Sequence, residues 1–276
     1  MSSSDPILKI RGLTKRFGGL TALDAVDLDV APGTIVSIIG PNGSGKTTFF
    51  NCISGIYDPT AGDVVLCRDG AQQSLIGMRS DEVTRAGVAR TFQTIRLFPM
   101  MTVLENVLVG MHAKTESGWV SAALRLRSFR DEEEASRAKA RELLGFFGDH
   151  LLPREDEPAR NLSYANQRRL EIVRAMATGA PVLLLDEPAA GMNPTETEGL
   201  MEDIVRLRDS GRTVLLIEHD MIVIATISDH VLALDHGAKI AEGAFADVRR
   251  EPQVIEAYLG RGAAGTAGDA IERADA

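Results

Sequence analysis

The chain has 276 residues, of which 44% are hydrophobic and 25% charged, proportions of a soluble globular protein rather than of a disordered or membrane-embedded one. A net charge of -9 argues against a nucleic-acid binder held by phosphate contacts. The only cysteines, Cys52 and Cys67, lack metal-ligand spacing, and no basic-then-apolar segment follows Met1, which predicts a cytosolic chain with buried free thiols.

In chain order, Met1 to Pro6 is polar and expected to be loose, and Ile7 to Ile10 reads as a first short strand. Thr21 to Val30 spaces apolar residues at Leu23, Val26, Leu28 and Val30. Pro32-Gly33 then turns the chain into a buried strand, Ile35 to Ile39. A glycine-rich loop follows directly. From Val107 to about His150 the pattern is helical and densely charged. Two further buried strands, Val182 to Leu185 and Thr213 to Ile217, are separated by a segment of helical character, the pattern of a parallel sheet crossed by helices. No apolar run approaches the roughly 20 residues of a membrane span. The tail from Arg261 to Ala276 has too few large apolar residues to offset its ordering entropy and is expected to be disordered. The fold class is therefore α/β.

Gly40-Pro41-Asn42-Gly43-Ser44-Gly45-Lys46-Thr47 has the fixed positions of a phosphate-binding loop, set between an apolar strand and a helix-compatible segment. Those positions recur by chance in roughly one chain of this length in a hundred, and the preceding strand lowers that further. Glycines let backbone N–H groups turn inward around phosphates. Lys46 supplies a point charge to the β- and γ-phosphates, the Thr47 hydroxyl suits Mg²⁺, and Thr48 adds a phosphate hydrogen bond. A nucleotide with Mg²⁺ is thus the expected ligand of this loop. At the end of the strand Val182 to Leu185, Asp186 and Glu187 stand where open α/β sheets place ligands. Asp186 is expected to hold Mg²⁺ through water and Glu187 to polarise the attacking water.

Leu162-Ser163-Tyr164-Ala165-Asn166-Gln167-Arg168-Arg169 resembles the signature segment of ATP-binding cassette (ABC) ATPases. Gln93 lies where that family has its glutamine loop, and His219, in Ile217-Glu218-His219-Asp220, where it has its switch histidine. The resemblance covers Ile7 to about Gly260. It implies a P-loop NTPase core of the ABC type at 7–260, with an antiparallel β subdomain and a helical lobe at about 94–180 carrying an insert at about 110–150. It also implies two facing subunits, Ser163 of one capping the γ-phosphate held by the other. Gln93 then serves catalysis and the metal, and His219 positions the water. Phe17 matches the aromatic that stacks on adenine, a core phenylalanine being the alternative.

Two departures stand in the signature. Ala165 replaces its second glycine and Asn166 its glutamine, so ATPase activity is expected to be retained but slower. Finer features resemble importers of branched-chain amino acids: Arg90-Thr91-Phe92-Gln93, Met101 to Val107, the signature tyrosine, Ala189 to Pro194 and Val254 to Gly260. That resemblance implies transmembrane permease partners, no nucleic acid, and a peripheral place on the cytoplasmic face of the inner membrane. Trp119 in the insert reads equally as local core or contact surface. A cassette for another substrate, such as lipopolysaccharide export, shares every ATP motif. A soluble nucleotide switch is disfavoured because no coiled-coil arm, second cassette or basic character is present.

Overall fold

A computed structural model describes residues 5–111 and 127–259. Met1 to Ser4, Trp119 and the tail from Arg261, for which expectations were stated above, lie outside the described residues. Two compact units divide the chain: one joins the segment up to Arg79 with that from Leu207 onward, and the other is Ser80–Arg206.

The first unit begins with β1 (Leu8–Phe17), β2 (Leu20–Val30), β3 (Ile35–Ile39), α1 (Lys46–Ile53), β4 (Ala61–Arg68) and β5 (Ala71–Ser74). The second follows with α2 (Ser80–Ala86), β6 (Val88–Arg90), α3 (Val103–Met111), α4 (Arg127–Gly145), α5 (Tyr164–Ala177), β7 (Val182–Asp186) and α6 (Pro194–Asp209). The chain ends with β8 (Thr213–Ile217), α7 (Met221–Ile227), β9 (His230–Asp235), β10 (Ala238–Gly243), α8 (Phe245–Val248) and α9 (Pro252–Leu259).

In the first unit β2, β1, β4 and β5 form a four-stranded antiparallel sheet in that order. Leu8 faces Val30 on one side and Leu66 on the other, and Ile10 faces Leu28 and Val64, so one apolar row runs across three strands and fixes the register. The first strand does not stop at Ile10. It shifts register between Ile10 and Leu13 and runs on to Phe17, which pairs with Leu20. A second sheet places β3 between β9 and β8, parallel to both, with β10 antiparallel on β9. Strands β3 and β8 are buried throughout, as parallel strands covered on both faces must be. Ile39, Ile224, Val231, Ala233, Val248 and Val254 join that sheet to α7, α8 and α9 in one core cluster.

In the second unit β6 lies parallel to β7, Val88 facing Val182 and Arg90 facing Leu184. Helix α3 packs on α5 and α4. Several of the motif residues prove to be helix-start chemistry. Thr102 and Glu105 cap α3 reciprocally, backbone N–H to side-chain oxygen in both directions at 2.8 and 3.1 Å, a capping box. Fully buried Asn106 ties α3 to the preceding loop through Phe98 N, Phe98 O and Thr102 O. Asn193 and Glu196 repeat the box at 3.1 and 3.0 Å with Pro194 first in α6, where a missing N–H costs nothing. No helix among the described residues is long and apolar enough to cross a membrane.

Candidate functional site

Strand β3 ends at Ile39, and the loop from Gly40 to Gly45 runs into α1. Two of its glycines are sterically required. A Cβ on Gly40 (φ 145°) would meet Leu234 O at 2.1 Å, and one on Gly45 (φ 105°) would meet Ala22 O at 2.6 Å; neither approach is possible for a residue with a side chain. Buried Lys46 donates from Nζ to Gly40 O at 2.6 Å and Pro41 O at 3.0 Å. Ser44 Oγ is buried with no hydrogen-bond partner. A cation resting on carbonyls, an unsatisfied hydroxyl and the N-terminus of α1 fit an anion seated in the loop. Thr47, Asn42 and Gly43 are exposed, and Pro41 and Thr48 half-buried.

The amide N–H of Gly40 donates to the Tyr258 hydroxyl at 2.7 Å, so α9 reaches the first residue of the phosphate loop. Burial pushes the Tyr258 phenol up, and the bond from Gly40 opposes the shift. Phe17 is 43% exposed, which removes the core alternative. It stands edge-on to Tyr57 at 5.3 Å, with Lys15 Nζ 5.0 Å from its ring centre, an aromatic surface suited to a base. Exposed His219 follows β8, and its backbone N–H donates to Glu218. Asp220 then caps α7 by accepting from Ile222 N and Val223 N.

In the second unit, Asp186 ends β7 with Oδ2 against Arg90 Nη2 at 2.7 Å, both side chains 6% exposed. Glu187 has φ 47°, a left-handed value that costs an L-residue about 1–2 kcal/mol. Such strain is kept where the direction of a side chain matters. Its carboxylate accepts from Gln93 Nε2 at 2.7 Å. Because an ionised carboxylate only accepts, this contact fixes which way the Gln93 amide points and leaves its Oε1 turned elsewhere. Exposed Ser163 is the N-cap of α5, its Oγ accepting from Asn166 N at 3.4 Å. Ala165 is 3% exposed within the first turn of that helix. No group of three or more His, Cys, Asp or Glu among the described residues could hold a metal, so a divalent ion here would depend on phosphate oxygens for much of its shell.

Residues 23–190 match the family model described as ABC transporter. The chain belongs to the ABC transporter family. Residues 238–264 also match a model described as branched-chain amino acid ATP-binding cassette transporter. The cassette is 47% identical over 258 residues to the high-affinity branched-chain amino acid transport ATP-binding protein LivG of Escherichia coli (strain K12), covering 93% of this chain and 99% of that one. Among solved structures, the ADP conformation of MJ1267, an ATP-binding cassette of an ABC transporter, matches with TM-score 0.79 and 33% identity over 94% of this chain and all of that one. A post-hydrolysis dimer of the cassette MJ0796, bound to ADP and phosphate, matches with TM-score 0.69 and 28% identity, covering 86% and 98%.

The ABC ATPase thus brings Gln93 to Glu187, and seats Lys46 and Ser44 inside one loop. Three side chains that touch these groups went unmarked in the sequence: Arg90 on Asp186, Tyr258 on Gly40, and Arg168, whose contacts are described below. All three sit inside segments that carry the resemblance. Nothing in a linear reading distinguishes Arg168 from an exposed charge.

Proposed function

We propose that the chain is the ATP-hydrolysing subunit of an importer for branched-chain or other hydrophobic amino acids, working at the cytoplasmic face of the inner membrane. The observation that carries this reading is the identity to LivG across nearly the full length of both proteins. ATP would lie with its adenine on Phe17 and its phosphates in the loop from Gly40 to Thr48. Lys46 would exchange the carbonyls of Gly40 and Pro41 for the β- and γ-phosphates, and Ser44 would gain the partner it lacks. Mg²⁺, held by the Thr47 hydroxyl, Gln93 Oε1 and, through water, Asp186, would neutralise developing phosphate charge.

Glu187 polarises the attacking water and His219 steadies the γ-phosphate. Ser163 and the N–H groups at the start of α5 meet ATP held by a second cassette, a reading supported by the dimeric relative MJ0796 and by the affinity of helix N-termini for anions. ATP between the subunits favours the closed pair, and hydrolysis releases it. The membrane subunit docks in a groove of about 430 Å³ lined by Arg96, Phe98, Val109, Gly110 and Arg174. Burial lowers the Arg174 pKa against the opposing pull of Glu171, and the Arg174 guanidinium lies 5.8 Å from the Phe98 ring centre.

The test is ATPase activity of the chain assembled in vesicles with the membrane proteins that co-purify with it, with and without a leucine-loaded binding protein. Stimulation by leucine that Lys46→Ala abolishes is the expected result. Activity indifferent to every loaded amino acid, or recovery of nucleic acid in place of membrane proteins, would overturn the reading.

A further inference from the structure

Arg168 lies one turn into α5 and is fully buried. A guanidinium in that position is costly unless its donors are met; its two terminal nitrogens are met, while the buried Nε has no hydrogen-bond partner. Nη1 donates to Phe92 O at 2.6 Å and to Glu171 Oε2 at 2.8 Å; Nη2 donates to Gln93 O at 2.8 Å and to the Tyr164 hydroxyl at 3.3 Å. Glu171, itself buried, balances the charge, and its other oxygen accepts from Arg96 N at 3.2 Å. The stretch from Phe92 to Arg96 is therefore pinned at both ends to one helix.

The contacts continue past the arginine. From the backbone held by Arg168, the Gln93 side chain reaches Glu187. From the other side, a Cβ on Gly191, in the loop that follows Glu187, would lie 3.6 Å from the Tyr164 ring. Tyr164, Arg168, Gln93 and Glu187 form a chain of contacts, and the loop after Glu187 passes beside the Tyr164 ring. An ion pair serving only to fill the core would need the Glu171 bond alone. Here both terminal nitrogens also hold carbonyls of a loop more than seventy positions away, and only the planar fork of an arginine spans them together.

We propose that Arg168 is a positioning residue for hydrolysis: it holds the Gln93 backbone so that the Gln93 amide fixes Glu187, and it links that pair to the start of α5 through Tyr164. This rests on Glu187 being the group that polarises water. A change at Ser163 and Tyr164, where α5 would meet the partner's nucleotide, is thereby carried to the carboxylate of the chain's own site. A loop shifted by an ångström at such a site costs rate rather than substrate affinity.

The experiment compares kcat and KM for ATP in the full-length protein and in Arg168→Lys, Gln93→Ala and the double variant, each checked by its melting curve. Lysine keeps the charge against Glu171 but cannot hold both carbonyls. The expected result is a kcat lower by about tenfold or more with KM within about threefold, and a double variant no slower than Gln93→Ala alone. Unchanged kcat in folded Arg168→Lys, or multiplicative losses in the double variant, overturn the proposal. If Arg168→Lys does not accumulate folded, Tyr164→Phe, altered at a 44% exposed residue, replaces it: a lowered kcat at constant KM supports the proposal and an unchanged one overturns it. Glu187→Gln separates the two readings, because an active Glu187→Gln protein removes the assumed catalytic carboxylate. An inactive one beside unaffected Arg168 and Tyr164 variants removes only the link.

Discussion

The Gln93 side chain donates to the Glu187 carboxylate across 2.7 Å, joining residues 94 positions apart in the chain. The bond fixes the direction of a strained glutamate's carboxylate. Glu187→Gln keeps the shape and removes the charge. Its turnover is expected to fall by about 10²- to 10³-fold, with ATP affinity within about threefold of the parent. Phosphate release and equilibrium nucleotide titration measure the two separately, and a matching loss of affinity would count against a purely catalytic role.

Phe17 is held edge-on by Tyr57 at the end of β1, with one side open to solvent. Phe17→Ala is expected to weaken ATP binding by about 1–3 kcal/mol, the scale of base–aromatic stacking. Phe17→Tyr should bind as the parent does. Inorganic triphosphate, which has no base, should bind all three equally in a competition titration.

Ala165 carries a Cβ where the signature has glycine, which would crowd the phosphate unless the backbone is already helical, where alanine costs little. Its burial in the first turn of α5 instead directs the methyl into its own chain. Ala165→Gly should therefore change turnover by less than about twofold while destabilising the protein by about 1 kcal/mol, the helix cost of glycine. A several-fold faster Ala165→Gly enzyme would restore the crowding explanation.

Burial pushes the Cys52 thiol from 9.0 up to about 11, against the smaller pull of Lys15. The folded state thus prefers the neutral thiol more than the unfolded state does. The resulting stabilisation is whole below pH 9.0 and is lost as pH rises towards about 11, because only the unfolded chain ionises freely in that window. In a thiol-reagent assay at pH near 8, half-buried Cys67 should react in the native protein, and Cys52 only after denaturant is added.

Strands β3, β7 and β8 were legible because each is a continuous apolar run buried on both faces. Strand β5, Ala71–Ser74, is exposed at every position and carries no alternation to read; only its hydrogen bonds to β4 make it a strand. Strand β1 was cut short because Arg11, Lys15 and Arg16 interrupt its apolar pattern. Arg11 points out to Asp29 on β2, a pairing invisible until the register is known. The phosphate loop and Glu187 were singled out from local motifs, and Gln93 from the family resemblance. Their neighbours Arg168 and Tyr258 were not, since each acts on backbone groups 75 or more positions away.

The phenol of Tyr258 has a practical corollary. A protein cut short ahead of α9 would lose more than its end, since a buried amide at the mouth of the triphosphate's seat would face nothing. Weak turnover measured on such a shortened protein would report on the missing phenol as much as on the enzyme.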